Sequence, residues 1–316
     1  MIDESRVMLN GWYLGSSVGS GTVSRCIVEC FPGIGVGLEQ SGRSIVRSRL
    51  KPFYELGFGS RHPRADVRIH PYFAAAIDRK SILFVYDVIG NAGHPDVFHR
   101  LAAAGAGAVA TISVMSRDDI MRVLGRNATV VPVYTASEFY STPPRLSSHG
   151  GSVGRKPVIG YWSGYAPHKA WELLSDRALG SVFSIWASGS YPAESEAIRS
   201  FGRMSVRELI AHIDETDVGV FPSKAEGFGL PPLEAALRGV PLVVRRLPVY
   251  EEFLDFEKEG VFPFDHDEEF PGAVRLAVDF GRRVGPLECV RVPSLTEAQS
   301  DFRKAMTDLM DFIVAK

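Results

Sequence analysis

Cysteine is scarce in this chain, with three in 316 residues. Cys26 and Cys30 lie four apart on a helical stretch and Cys289 is remote, so a disulfide-stapled secreted scaffold is excluded and reduced, partly buried thiols are expected. Lysine is scarce too, at 8 of the 35 basic residues, but an arginine-rich balance carries no functional information by itself. The formal net charge is only -2, which leaves no electrostatic case for nucleic acid as the main partner. Long apolar runs are missing: the longest weakly polar one, Leu101 to Met115, contains two glycines, a threonine and a serine and is too short to span a bilayer. The opening Met1-Ile2-Asp3-Glu4-Ser5-Arg6 is acidic and has neither the basic nor the apolar region of a signal peptide, so a cytosolic protein is expected. No fixed-period repeat is present, which excludes a solenoid.

What is present suits a soluble globular protein, with 45% apolar and 23% charged residues. The length allows two domains of ordinary size. Strand and helix patterns alternate almost throughout, which predicts an α/β architecture of parallel sheets covered by helices on both faces. A first domain is read over residues 1–140. Residues 141–155, rich in Ser, Gly, Pro and Arg, read as a linker. A second domain follows over 156–293, and Ser294-x-x-Glu297 forms a capping box opening a terminal helix to Val314. Its apolar positions are Phe302, Met306, Leu309, Met310 and Ile313.

In the first half, strands are predicted at Arg6 to Leu9, Ser81 to Tyr86, Ala108 to Ser113 and Thr129 to Val133, with helices from about Thr22 and from Ser116. A glycine-rich loop containing Gly19 and Gly21 opens the first helix, where free backbone N–H groups can hold an anion. Residues 41–75 are locally basic, with Arg43, Arg47, Arg49, Lys51, Arg61, Arg64 and Arg68. They read either as a solvated face or as an acceptor-side surface for something acidic or membrane-anchored. In the second half, strands are predicted at Lys156 to Trp162, Val182 to Ala187, Asp217 to Phe221, Val240 to Val244 and Gly260 to Phe264. Helices are predicted at about 170–179, at 206–213 behind the capping box Ser205-x-x-Glu208, at 250–257 and at 268–281.

The most informative stretch is Phe221-Pro222-Ser223-Lys224-Ala225-Glu226-Gly227-Phe228-Gly229-Leu230-Pro231-Pro232-Leu233-Glu234. A strand ends, glycines relax the backbone, prolines suit a helix start, and Gly239 suits its stop. Glu226 falls in the loop beyond the strand's carboxyl end and Glu234 in the expected first helical turn, so both can face one crevice at the ligand-binding edge of an open sheet.

This stretch resembles the E-x7-E signature of retaining GT-B glycosyltransferases, the group 1 or family 4 type that includes sucrose synthases and mannosyltransferases. The resemblance is strong over 217–245, moderate over 81–135 and 156–171, and faint elsewhere. It implies two Rossmann-like, doubly wound domains facing a central cleft, with the last helix crossing back to the first domain. Residues 163–169 resemble the family's phosphate loop, which implies that Gly164 and Lys169 bind the donor diphosphate, with Tyr165 standing where an arginine is common. Glu226 is implied to contact the donor sugar and Glu234 the ribose hydroxyls, and Gly227, Phe228, Gly229 and Leu230 to line the donor site. Gly19 and Gly21 would face the donor phosphates from the first domain. Asp87 ends the strand where the family often has His-Asp, with Tyr86 in the histidine's place; the catalytic set is therefore Glu226, Lys169 and Asp87.

The implied reaction moves a sugar from a nucleotide-sugar donor, a UDP- or GDP-sugar, to an acceptor hydroxyl with retention of configuration. No cofactor and no metal are expected. The acceptor is a glycan, a lipid-linked sugar or a protein, with Arg47 and Arg49 on the acceptor side and peripheral membrane contact. Competing readings are a nucleotide-sugar epimerase or phosphorylase on the same scaffold, a catalytically degenerate binding subunit, and a GT-A transferase with Asp265-His266-Asp267 as its metal site.

Overall fold

The computed structural model describes residues 3–10, 19–37, 64–71, 77–86, 103–143, 156–163, 166–188, 198–202 and 204–316. The chain packs as two compact units, one of Met1–Tyr134 with Pro293–Lys316 and one of Thr135–Val292. In the first unit the described strands are β1 (Val7–Leu9), β2 (Gly35–Val36), β3 (Val67–His70), β4 (Ser81–Phe84), β5 (Ala108–Thr111) and β6 (Thr129–Val130). All pair in parallel in the order β2-β1-β3-β4-β5-β6. Helix α1 (Gly19–Cys30) follows β1, and α2 (Val114–Leu124) follows β5. The N-cap of α2 is Ser113, whose hydroxyl accepts from the Ser116 N–H, so the helix starts two residues before the expected Ser116.

Strand β3 escaped the sequence reading for a physical reason. A parallel strand buried on both faces normally reads as a continuous apolar run, and Arg68 and His70 interrupt this one. All four of its residues are nonetheless buried. Arg68 is 5% exposed and pairs with Asp78 at 2.8 Å, so it does not belong to an exposed basic surface.

The second unit carries β7 (Val158–Tyr161), β8 (Ser184–Ala187), β9 (Ile198–Ser200), β10 (Val218–Phe221), β11 (Leu242–Arg245) and β12 (Val261–Phe264), parallel in the order β12-β11-β10-β7-β8-β9. Its helices are α3 (Glu138–Ser141), α4 (Arg177–Val182), α5 (Val206–Glu215), α6 (Leu230–Leu237) and α7 (Phe270–Phe280). The predicted helix at 170–179 is instead a pair of 3-10 turns, Pro167–Lys169 and Trp171–Ser175, followed by α4. The one predicted at 250–257 is a single 3-10 stretch, Pro248–Glu252. The Ser205 and Glu208 capping box is formed on α5. Ile159, Val218, Val220, Val243, Phe264 and Phe270 centre the core of this unit.

The terminal helix α8 (Leu295–Val314) belongs to the first unit, starts at the Ser294 and Glu297 capping box and buries Phe302, Met306, Leu309, Met310 and Ile313. It packs on α1 and on β3, β4 and β6. Cys26, Cys30 and Cys289 are free and buried, and burial pushes the Cys26 thiol up to about 12. Among the described residues no helix is long and apolar enough to cross a membrane.

One buried charge network ties the second unit together. Arg238, at the end of α6, is fully buried and makes a two-pronged contact with Asp214 near the end of α5, Nε to Oδ1 at 2.9 Å and Nη2 to Oδ2 at 2.6 Å. Its remaining donors go to the carbonyls of Thr142 and of Pro143, the latter at 3.0 Å. Residues 141–143, the start of the range read as a linker, are thereby fixed on this unit, and the rest of that range lies outside the described residues. Arg282 adds bonds to the carbonyls of Ile213, Asp214, Thr216 and Arg238.

Removing one partner of such a pair strands a buried charge, so Asp214→Asn or Arg238→Met is expected to cost about 3–5 kcal/mol. Replacing both, as Asp214→Asn with Arg238→Met, is expected to cost less than the sum of the two; urea titrations of wild type, both singles and the double check this. His70 is fully buried, and that burial pushes its imidazole down to about 4. The unfolded chain takes up this proton first, near its ordinary value of about 6.5. The contribution of neutral His70 is therefore complete above that value and lost as pH falls from there toward 4. The unfolding free energy should drop by up to about 1.4 kcal/mol per pH unit in that window, and the slope should shrink in His70→Asn.

Candidate functional site

The strand order of the second sheet creates a place for a ligand. From β7 the chain moves outward through β8 and β9, then returns to the other side of β7 for β10, β11 and β12. The loops leaving the carboxyl ends of β7 and β10 therefore diverge, and crevices at such switch points are where open α/β sheets bind ligands.

Lys169 comes from the β7 side and Glu226 from the β10 side. Their charged groups meet at 2.6 Å, Nζ to Oε1, with side chains 14% and 9% exposed. The Lys224 N–H donates to the His168 carbonyl at 2.7 Å, so the two loops are also joined through their backbones. Lys169 does not open a helix as expected. It closes the 3-10 turn Pro167–Lys169, and the next residue, Ala170, is left-handed at φ 48 and ψ 36. That conformation costs an alanine of order 1–3 kcal/mol and persists only where surrounding packing fixes it. Ala170, Trp171 and Leu174 are all buried here.

The second loop is shaped by Gly229. Its φ of +103 suits glycine, and a Cβ there would lie 2.4 Å from the Tyr250 ring. This residue is the N-cap of α6, so the helix starts at Leu230 and Pro231 and Pro232 occupy its second and third positions. Glu234 is consequently the fifth helical residue and not in the first turn as expected, so the helix dipole gives no account of it. Its Oε1 accepts from the Thr135 hydroxyl at 2.6 Å. Gly239 at φ 70 ends the helix, as the sequence suggests.

Aromatic rings hold the loop from beneath. Phe228 packs on Phe253 with centroids 5.0 Å apart, and the Trp162 indole N–H donates to the Pro231 carbonyl at 3.3 Å. Tyr250 is fully buried; burial holds its phenol well above the ordinary range, and the nearby Glu226 carboxylate adds to that. Thr135, Trp162 and Tyr250 were missed by sequence reasoning. None was given a role, although Thr135 ends one stretch of moderate resemblance and Trp162 lies in another; what marks them is contact with α6 and the loop before it.

The other expected site residues are placed as follows. Gly19 and Gly21 are the first and third residues of α1, inside the helix and not in a loop before it. Helix α1 begins three residues earlier than expected, and its first-turn N–H groups still lack helical acceptors. Asp87, Gly164, Arg47 and Arg49 lie outside the described residues, as does Tyr165. The hydroxyl of Tyr86 donates to the Pro71 carbonyl, which joins the ends of β4 and β3. Asp265 and Asp267 have structural partners: Arg245 bonds Asp267, Arg246 lies 3.8 Å from Asp265, and Glu269 accepts from the N–H groups of Asp265 and His266. Among the described residues no three His, Cys, Asp or Glu side chains gather as metal ligands.

The family model described as glycosyl transferases group 1 matches residues 194–278, the part that contains Glu226 and Glu234. No curated protein matches the chain. Among solved structures, sucrose-phosphate synthase from Thermosynechococcus elongatus aligns with a TM-score of 0.66 at 14% identity, over 98% of this chain and 96% of that one. HepE from Anabaena, in complex with UDP and glucose, aligns with a TM-score of 0.65 at 13% identity, over 96% of this chain and 94% of that one. WaaG, a glycosyltransferase involved in lipopolysaccharide biosynthesis, gives 0.60 at 11% identity over 96% and 95%. The chain has the GT-B fold, two parallel α/β units of six strands each among the described residues. That fold leaves no place for the GT-A reading.

Gly229→Ala places a side chain on a left-handed backbone and against the Tyr250 ring. It is expected to destabilise the chain by about 1–3 kcal/mol, read as a lowered thermal midpoint.

Proposed function

We propose that this chain is a cytosolic glycosyltransferase that moves a sugar from a nucleotide-sugar donor to an acceptor hydroxyl with retention of configuration and without a metal. The observation that carries this reading is the meeting of Lys169 and Glu226 at the switch point of the second sheet, with Glu234 one E-x7-E spacing further on. The family match over 194–278 covers both glutamates, and HepE, a protein of the same fold, binds UDP and glucose.

In this reading Lys169 meets the donor diphosphate and stabilises the charge that grows on it as the bond to the sugar breaks. Loop N–H groups up to Leu230 assist; Pro231 and Pro232 have none to offer. Glu226 contacts the sugar and Glu234 accepts from the ribose hydroxyls. The bond between the anomeric carbon and the diphosphate oxygen breaks and one to the acceptor oxygen forms on the same face. The acceptor proton passes to a donor phosphate oxygen, so no protein nucleophile is needed. The acceptor is a glycan, a lipid-linked sugar or a protein.

The test is hydrolysis of UDP-, GDP-, ADP- and dTDP-sugars followed by proton NMR in EDTA. The first-formed sugar should keep the donor's anomeric configuration, and Lys169→Ala should lower donor turnover by at least about tenfold, the worth of one charge-assisted contact. An inverted anomer, or activity abolished by EDTA and restored by manganese, sinks this mechanism. Tight donor binding with no turnover favours the binding-subunit reading instead.

A further inference from the structure

We infer that Thr135 is a positioning residue: its hydroxyl fixes the Glu234 carboxylate in the orientation that meets a ribose diol, and so sets the preference for ribonucleotides over 2′-deoxyribonucleotides. The inference rests on the reading of Glu234 proposed above and adds to it a residue to which the resemblance assigns no role.

Three observations converge. The Thr135 hydroxyl donates to Glu234 Oε1 at 2.6 Å, a short charge-assisted bond, and Thr135 is only 1% exposed. Glu234 stands beyond the first turn of α6, where the helix dipole no longer favours a carboxylate, so its orientation is set by side-chain bonds, of which the one from Thr135 is described. Glu234 and Arg238 are four apart and share one face of α6. That face binds the segment 135–143 at both ends, through Thr135 at one and through the Thr142 and Pro143 carbonyls at the other.

The far end of that segment is thus held by the fully buried Arg238, and Thr135 itself is buried, which restricts where its hydroxyl can go. A carboxylate offers about four acceptor positions, so a bond to Thr135 and a pair of bonds to a vicinal diol are compatible on one group. What Thr135 supplies is restriction. A glutamate has three side-chain torsions, and a group already fixed before the ligand arrives loses less freedom on binding.

The experiment measures calorimetric affinities of the full chain for UDP, GDP and ADP, each beside its 2′-deoxy counterpart. Wild type is expected to favour the ribonucleotide of its preferred base by about tenfold, one charge-assisted bond. In Thr135→Val, which keeps the shape and removes the hydroxyl, the ratio should fall toward one; Thr135→Ser should keep it. A purely structural Thr135 would weaken both nucleotides equally and leave the ratio alone. A folded Thr135→Val that keeps the wild-type ratio overturns this inference and leaves the proposed function standing. If Thr135→Val does not fold, the same ratio in Thr135→Ala decides. Wild type that binds no nucleotide, or does not distinguish the two sugars, overturns the ribose reading of Glu234 and this inference with it.

Discussion

The parallel pairing of β7 with β10 is the constraint on which the second unit depends. Parallel neighbours cannot be joined by a tight turn, and here the chain runs from β7 through β8 and β9 before it returns to form β10. Both carboxyl ends then lie side by side on one edge. Because those ends are neighbours, Lys169 and Glu226, 57 positions apart, meet at 2.6 Å. The backbone bond from Lys224 to His168 holds the same edge closed.

Helix α6 transmits this order to the rest of the unit. Its apolar side, including Leu233, Ala236 and Leu237, is buried. Its charged side is engaged too, since Glu234 takes the Thr135 hydroxyl and Arg238 takes Asp214 with the carbonyls of Thr142 and Pro143. Fully buried ion pairs are weak contributors to net stability because desolvation offsets their attraction. Each nitrogen of the Arg238 guanidinium has an acceptor, so the network joins α5, α6 and residues 142–143. The helix that carries Glu234 is therefore fixed at its start by Gly229 against Tyr250 and at its end by Arg238.

Buried charge on the first unit follows the same rule. Arg68 on a central strand is matched by Asp78, and His70 beside it is kept neutral by burial. These two residues hid β3 from a pattern-based reading, because the expected signature of a strand covered on both faces is uninterrupted apolarity. Pairing, not hydrophobicity, makes that strand possible.

Much of the molecule was legible in the sequence because the signals are local. Alternating strand and helix periods gave the α/β class, capping boxes at Ser205 and Ser294 marked helix starts, and Gly239 marked where α6 ends. The glutamates at 226 and 234 stood out because their spacing is contained in one loop and one helix. Tertiary structure decided what depends on partners distant in the chain. It set Lys169 at the end of a 3-10 turn, moved Glu234 past the first turn of its helix, placed Gly19 and Gly21 inside α1, and gave Arg68 a buried partner. Thr135 belongs wholly to that second class: its bond to Glu234 joins residues 99 positions apart, and no local spacing encodes a contact that exists only once α6 has packed.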